Sequence, residues 1–130
     1  RRYLEAQESE VTLCIAGGFR DSTDIAKALA LGADAVALAT ASLIAIGCQQ
    51  YRICNTGHCP VGITTHDPEL RARFSIPAST QRFINFARTT AEEIRTLARI
   101  NGRADVHDLD LTDIFTLSDD IARMTDIEHA

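Results

Sequence analysis

Apolar residues along this chain change period several times, and the changes mark its elements. Val11 to Ile15 is a continuous apolar, β-rich run that stops at Gly17-Gly18. A run of this kind bounded by glycines predicts a strand buried on both faces. The period then becomes helical: Ile25, Ala28, Leu29 and Leu31 form one side of a helix that Asp21 or Ser22 caps and Gly32 terminates, with Asp24 favourably placed in its first turn. Ala35 to Ala39 is a second short apolar run, and Thr40 and Ser42 open another helix through Leu43 to Ile46, ending near Gly47. Strand, glycine turn, helix, strand, turn, helix is the order of a parallel α/β sheet. Two strands cannot make a sheet covered on both faces, so this unit is expected to be the last part of a larger sheet or barrel. The 130 residues, opening on Arg1 rather than Met, fall below the roughly 200 of a complete (β/α)8 barrel, and a piece of a longer protein is expected.

From Cys48 to Pro68 periodicity disappears, and Cys, Gly, Pro, Asn and Thr dominate. This predicts a structured loop held by something other than a core. Beyond Pro77 the helical period returns with Ser79 or Thr80 as cap, a stripe of Phe83, Ala87, Ala91, Ile94 and Ala98, and Arg82, Arg88, Glu92, Arg95 and Arg99 mostly away from it. Glu92 and Arg95 are spaced to pair, and Asn101-Gly102 ends the helix. Asp110 and Ser118 read as caps of two short acidic helices, and residues 1–10 as the end of an exposed helix or a connection. The chain divides on this reading into residues 1–67, the strand–helix units with the cysteine loop at 48–59, and residues 68–130, a helical extension.

Charge and composition narrow the partners. Apolar residues make up 45% and charged residues 24% of the chain, the ordinary balance of a globular domain. Residues 1–102 hold 11 basic and 10 acidic side chains, whereas residues 103–130 hold 2 and 8, so the net charge of −5 lies almost wholly in the last segment. No basic footprint for nucleic acid exists. The longest uncharged stretch, Ala35 to Tyr51, is 17 residues, short of the roughly 20 apolar residues of a membrane span. No signal-like start is present, and the expected location is the cytoplasm.

The sharpest chemical signal is Cys48-x5-Cys54-x4-Cys59-Pro60. Thiolates are the usual protein ligands of iron–sulfur clusters, and these spacings let one loop curl round a cluster while backbone N–H groups point at sulfur. Three ligands suit a cluster lacking one iron corner, where a four-iron cluster asks for a fourth. The alternatives are a Cys3His zinc knot using His58 or His66, disfavoured because His58 adjoins Cys59 and the C-x2-4-C pairs are absent, and a disulfide with a free thiol, disfavoured in a reducing compartment. Cys14, inside an apolar run, reads as an inert core residue.

A second signal is Ala16-Gly17-Gly18-Phe19 after one strand and Ala39-Thr40-Ala41-Ser42 after the next. In a barrel the loops after the last two strands and a helix N-terminus form a phosphate cradle, the glycines allowing close backbone approach. The G-x-G-x-x-G pattern of dinucleotide folds is absent. Arg20, Asp67-Pro68, Glu92-Glu93, His107 and His129 read as surface or turn residues, and no Ser/His/Asp or Cys/His nucleophile arrangement is visible.

Ala16-Gly17-Gly18-Phe19-Arg20, Asp24 through Ala35, Thr40-Ala41-Ser42-Leu43-Ile44-Ala45-Ile46-Gly47-Cys48 and Cys54-Asn55-Thr56-Gly57-His58-Cys59-Pro60-Val61-Gly62-Ile63 follow one another in order. Together they resemble the C-terminal part of the FMN-binding domain of glutamate synthase large subunits, specifically from Val11 to Asp67 and more loosely to Leu97. The resemblance implies the last two strand–helix units of a (β/α)8 TIM barrel, followed by the iron–sulfur loop and C-terminal helices. It implies FMN with its phosphate on Gly17, Gly18, Phe19 and the Ala39, Thr40, Ala41 turn, and a 3Fe–4S cluster on Cys48, Cys54 and Cys59. The implied activity passes electrons from cluster to FMN for reductive amination of 2-oxoglutarate to glutamate, with glutaminase and electron-donor domains or subunits as partners. The chain departs from the family pattern at Ala16, where many relatives of the flavin-barrel type carry an acid, and at Ala39, where Gly is common. Its acidic ending resembles shorter stand-alone relatives, some of which use methylamine in place of glutamine-derived ammonia and make N-methylglutamate. A non-catalytic electron-transfer or metal-binding module is the competing class. Catalytic residues are not assigned, since substrate contacts would come from upstream strands.

Overall fold

The computed structural model describes residues 1–130, apart from the side chain of Arg2. Two compact units result, one formed by Arg1–Leu38 with Thr90–Ala130, the other by Ala39–Thr89.

The first unit opens with α1 (Arg2–Ala6) and is built on β1 (Cys14–Ala16), α2 (Ser22–Ala30) and β2 (Ala35–Ala37). The strands pair in parallel, Cys14 with Ala35, Ile15 with Val36 and Ala16 with Ala37, so the expected βαβ arrangement is present. Asp21 is the cap of α2, accepting from the backbone N–H groups of Thr23 and Asp24. These bonds, the Thr23 hydroxyl foremost, hold its carboxyl below the ordinary range. Ile25, Ala28 and Leu29 are buried as the period requires, whereas Leu31, beyond the last helical turn, is exposed.

The core gathers Ile25, Leu29 and Ala30 of α2, Ala98 and Leu109, with Val36, Leu38, Ile94 and Val106 packed on it. Burying a leucine such as Leu29 is worth about 1.5–3 kcal/mol, and Leu29 meets that condition at 7% exposure. Ser22 adds a hydrogen bond of 2.7 Å from its hydroxyl to Glu93.

Expected burial of the strands on both faces is corrected. Ile15 and Val36 are half-buried while Cys14, Ala16, Ala35 and Ala37 are exposed, because α2 and the core cover one face only. Cys14 is therefore a surface thiol of this chain and not a core residue.

The acidic stretch after Arg103 has a local explanation. Asp105 and Asp108 form a capping box around the 3-10 turn Val106–Asp108, and Asp110 and Asp113 form a second around Leu111–Asp113. Arg103 bridges the two carboxylates of the second box, donating to Asp113 at 2.9 Å and to Asp110 at 2.9 Å. Ser118 caps the short helix Asp119–Met124, as expected. The strands Phe115–Thr116 and Glu128–His129 pair in parallel around that helix.

In the second unit, α3 (Thr40–Ala45) leads into the cysteine loop, which holds one 3-10 turn, Cys54–Thr56. The helix α4 (Pro68–Arg71) follows, capped by Asp67 with Pro68 in its first turn. The long helix α5 (Ile76–Ile100) begins in this unit and ends in the other. It starts before Pro77, and the residue that caps it is Ser75, whose hydroxyl accepts from Ala78 N–H at 3.4 Å. Ser79 is instead a buried helical residue. Ala91, Ile94 and Ala98 of the expected stripe face inward, but Phe83 and Ala87 are exposed. Among the described residues no helix is long and apolar enough to cross a membrane.

Candidate functional site

Two backbone turns follow the paired strands. Gly17 and Gly18, directly after β1, adopt φ of +122° and +77°. Side chains rarely take such values, and no atom lies within 4 Å of where a Cβ would sit on either glycine. The turn is therefore bare backbone beside open space, bordered by a cavity of about 250 Å³ that half-buried Phe19 and exposed Lys27 help to line. Arg20 points to solvent and pairs with Asp24 at 3.8 Å, and its own N–H donates to that carboxylate at 3.0 Å.

The two helix starts differ. Two N-terminal donors of α2, the N–H groups of Thr23 and Asp24, are already taken by Asp21. Ala39, at the cap position of α3, has no side chain that can accept, so the first turn at Thr40 and Ala41 carries no side-chain cap. Of the two starts, that of α3 is the one without a side-chain cap.

The cysteine loop begins where α3 stops. Gly47 turns the chain, and Cys48 N–H returns to the Leu43 carbonyl at 2.9 Å in a Schellman-type closure. Ser79 donates its hydroxyl to the Ile46 carbonyl at 3.0 Å, fixing this end of α3 to α5. Cys48 is half-buried, and its Sγ accepts from Gln50 N–H at 3.4 Å. Gln50 and Arg52 are left-handed at φ of +55° and +57°, an uncommon conformation for residues with side chains and a mark of a loop bent by design. Cys54 is exposed at the start of the 3-10 turn.

Cys59 is buried. Its thiol is drawn down from 9.0 to about 7, chiefly by the backbone N–H of Thr64, then by those of Ile63 and Val61 and the Thr64 hydroxyl, against the opposing effect of burial. N–H groups converging on sulfur stabilise the thiolate, which is the form that ligates metal. This nest was not identified from the sequence. Its only linear trace is the Pro60-Val61-Gly62 turn after the cysteine. Gly62 makes that turn possible: at φ of +83°, a Cβ on it would lie 2.4 Å from the Leu70 carbonyl oxygen.

The structure thus puts Cys48, Cys54 and Cys59 on one irregular loop of one unit, with the Gln50 N–H donating to the Cys48 sulfur and the backbone of residues 61–64 lowering the Cys59 thiol. Among the described residues, no three His, Cys, Asp or Glu side chains converge tightly enough to hold a single metal ion. A cluster of several irons makes a different demand, since each thiolate takes its own iron. Three free thiols on one loop are the donor type that such a group takes.

Comparison with known proteins bears on the same residues. The family described as "Conserved region in glutamate synthase" matches residues 3–104. A glutamate synthase large subunit-like protein of Rhizobium meliloti is 38% identical over 137 residues, covering 93% of this chain and 31% of that protein. The archaeal glutamate synthase [NADPH] of Archaeoglobus fulgidus is 41% identical over 93 residues, 72% of this chain and 18% of that protein. The chloroplastic ferredoxin-dependent glutamate synthase of Oryza sativa subsp. japonica is 39% identical over 121 residues, 92% of this chain and 7% of that protein. The chain spans less than a third of the length of these relatives. No solved structure matches it. Because the matched region takes in both glycine and alanine turns, all three loop cysteines and the whole of α5, the chain belongs to the glutamate synthase family.

Proposed function

We propose that this chain is the C-terminal part of the flavin domain of a glutamate synthase-type oxidoreductase. In this reading residues 1–67 supply the last two strand–helix units of a (β/α)8 barrel and the cysteine loop, and residues 68–130 a helical extension. Gly17, Gly18 and Phe19, with Ala39, Thr40 and Ala41, hold the FMN phosphate, and Cys48, Cys54 and Cys59 ligate a 3Fe–4S cluster. When bound, these groups supply single-electron transfer and hydride delivery for reductive amination of 2-oxoglutarate to glutamate.

The residues of the chain have definite tasks. Gly17 and Gly18 keep side chains out of the anion's way, and the uncapped start of α3 offers N–H donors. Thr64, Ile63 and Val61 favour the ionised form of the Cys59 sulfur, the form that ligates. Gly47 and Ser79 fix the end of α3 from which Cys48 departs. The substrate, the glutaminase and the electron donor are engaged by other parts of the enzyme, and four free cysteines suit a cytoplasmic protein.

What carries the reading is the family match over residues 3–104, enclosing every residue assigned to either cofactor. The test uses full-length protein purified without air. The expected result is a flavin spectrum, a three-iron paramagnetic signal that Cys54→Ser abolishes, and amination of 2-oxoglutarate when ammonia or methylamine is offered, the better amine identifying the substrate. Colourless, iron-free protein would overturn the assignment.

A further inference from the structure

A single imidazole lies between two acceptors that have no proton to give. His107 Nδ1 is 3.1 Å from Asp105 Oδ1, and Nε2 is 3.2 Å from the backbone carbonyl oxygen of Asp34. A neutral imidazole carries one N–H and satisfies only one of them, whereas the imidazolium donates to both. We propose that His107 is a proton-operated latch, closed as the imidazolium, that ties the turn Val106–Asp108 to the segment between α2 and β2.

The surroundings favour the closed, charged form. Asp105 accepts from His107 twice, through the ring and through its backbone N–H at 2.9 Å. That carboxylate is itself held below the ordinary range, first by the His107 N–H, so it is an anion at neutral pH. On the other side, Asp34 accepts from Leu13 N–H at 2.7 Å and pairs with Arg1. The Arg1 charge is thereby largely matched by the Asp34 carboxylate it binds. Arg95 and Arg99 of α5 border the cavity of about 410 Å³ that Asp105 and His107 line, and they oppose protonation. Glu5, Asp110 and Asp126, around the neighbouring cavity of about 850 Å³ that His107 also lines, favour it. The balance raises the His107 imidazole above its usual value, the Asp105 hydrogen bond being the largest cause.

The consequence is local. Val106, the neighbour of His107, packs on the core, so opening the latch loosens the edge of the turn without detaching it. Asp34 is the pivot: its side chain fixes the approach to β1 while its carbonyl receives the latch. The hydrogen bond to Asp34 exists fully while His107 is protonated, below the ordinary value of about 6.5. The neutral ring keeps its one N–H on the charged Asp105 carboxylate, the stronger acceptor, so the bond to the Asp34 carbonyl is lost as pH rises through the higher value of the folded protein. The proposal is independent of the flavin and cluster assignments.

The test is hydrogen exchange by mass spectrometry on the full-length protein. Exchange at the imidazole C2 position reads the titration of His107 directly, and amide exchange of the peptide spanning residues 104–114 reads the latch. The expected result is a His107 titration above that of a free imidazole. Across it, amide protection, corrected for intrinsic exchange, falls about two- to tenfold, the effect of losing one hydrogen bond. In His107→Gln that pH step vanishes. Asp105→Asn, which keeps a capping oxygen but removes the charge, lowers the His107 titration towards the free value. A titration at or below that of free imidazole, or a pH step retained in His107→Gln, overturns the proposal.

Discussion

Gly62 and Gly18 both occupy left-handed backbone, yet they fail differently when a methyl group is added. At Gly62 the new Cβ meets the Leu70 carbonyl oxygen at 2.4 Å and the Phe74 Cβ at 3.1 Å. Backbone strain alone costs of order 1–3 kcal/mol, and here the turn carrying the N–H groups of the Cys59 nest must also shift. Gly62→Ala is expected to lower stability beyond that range in denaturant unfolding and to reduce iron content together. Gly18→Ala adds a methyl group into open space, so only the backbone strain of order 1–3 kcal/mol applies. The fold is expected to survive, with flavin stoichiometry reduced where the methyl group stands in the phosphate's path. Equal retention of flavin in both proteins would separate Gly18 from the phosphate. These roles were unevenly legible: Gly17-Gly18 is visible as a pair after a strand, whereas the constraint on Gly62 depends on Leu70, which the linear sequence does not place beside it.

At the scale of elements, local chemistry was readable and long-range packing was not. Asp21, Asp110 and Ser118 cap where the sequence says they should, because a cap acts within three residues. The start of α5 lies several residues before the expected cap at Ser79 or Thr80 for the opposite reason. Pro77 reads as a barrier, but the first turn of a helix needs no N–H from it. The helix therefore begins at Ile76, and Ser79 is left to serve α3 across the unit. Ser79→Ala is expected to cost about 1 kcal/mol, the net worth of one hydrogen bond. Its signature is local: thermal unfolding shifts slightly, while amide protection at residues 46–48 falls. A uniform loss of protection would mean that Ser79 acts through general stability instead. The apolar stripe fails in the same manner, since period alone predicts a continuous face, but Phe83 and Ala87 are exposed while Ile94 and Ala98 are packed.

The molecule as a whole carries one unbalanced surface. α2 and the core cover one face of the β1–β2 pair, and the other exposes Cys14, Ala16, Ala35 and Ala37. Parallel strands are normally covered on both sides, and small residues on the exposed face leave room for close packing. The sequence expected burial at Cys14 because it read the apolar run as a complete strand environment; the chain alone supplies only half of it. The barrel proposal says where the other half comes from: upstream strands and the side chains filling the barrel interior, in relatives more than three times the length of this chain. Cys14 makes that testable without reference to activity. In the isolated 130-residue chain, a small alkylating reagent is expected to modify Cys14 at the rate of an accessible thiol. In the full-length protein, peptide mapping is expected to show the same residue protected until the barrel is unfolded. Exposed Cys54 gives an internal control, because on the cluster proposal its protection is expected to follow iron loading and not barrel closure. If Cys14 reacts equally fast in both proteins, the open face is an outer surface and β1 and β2 do not close a barrel.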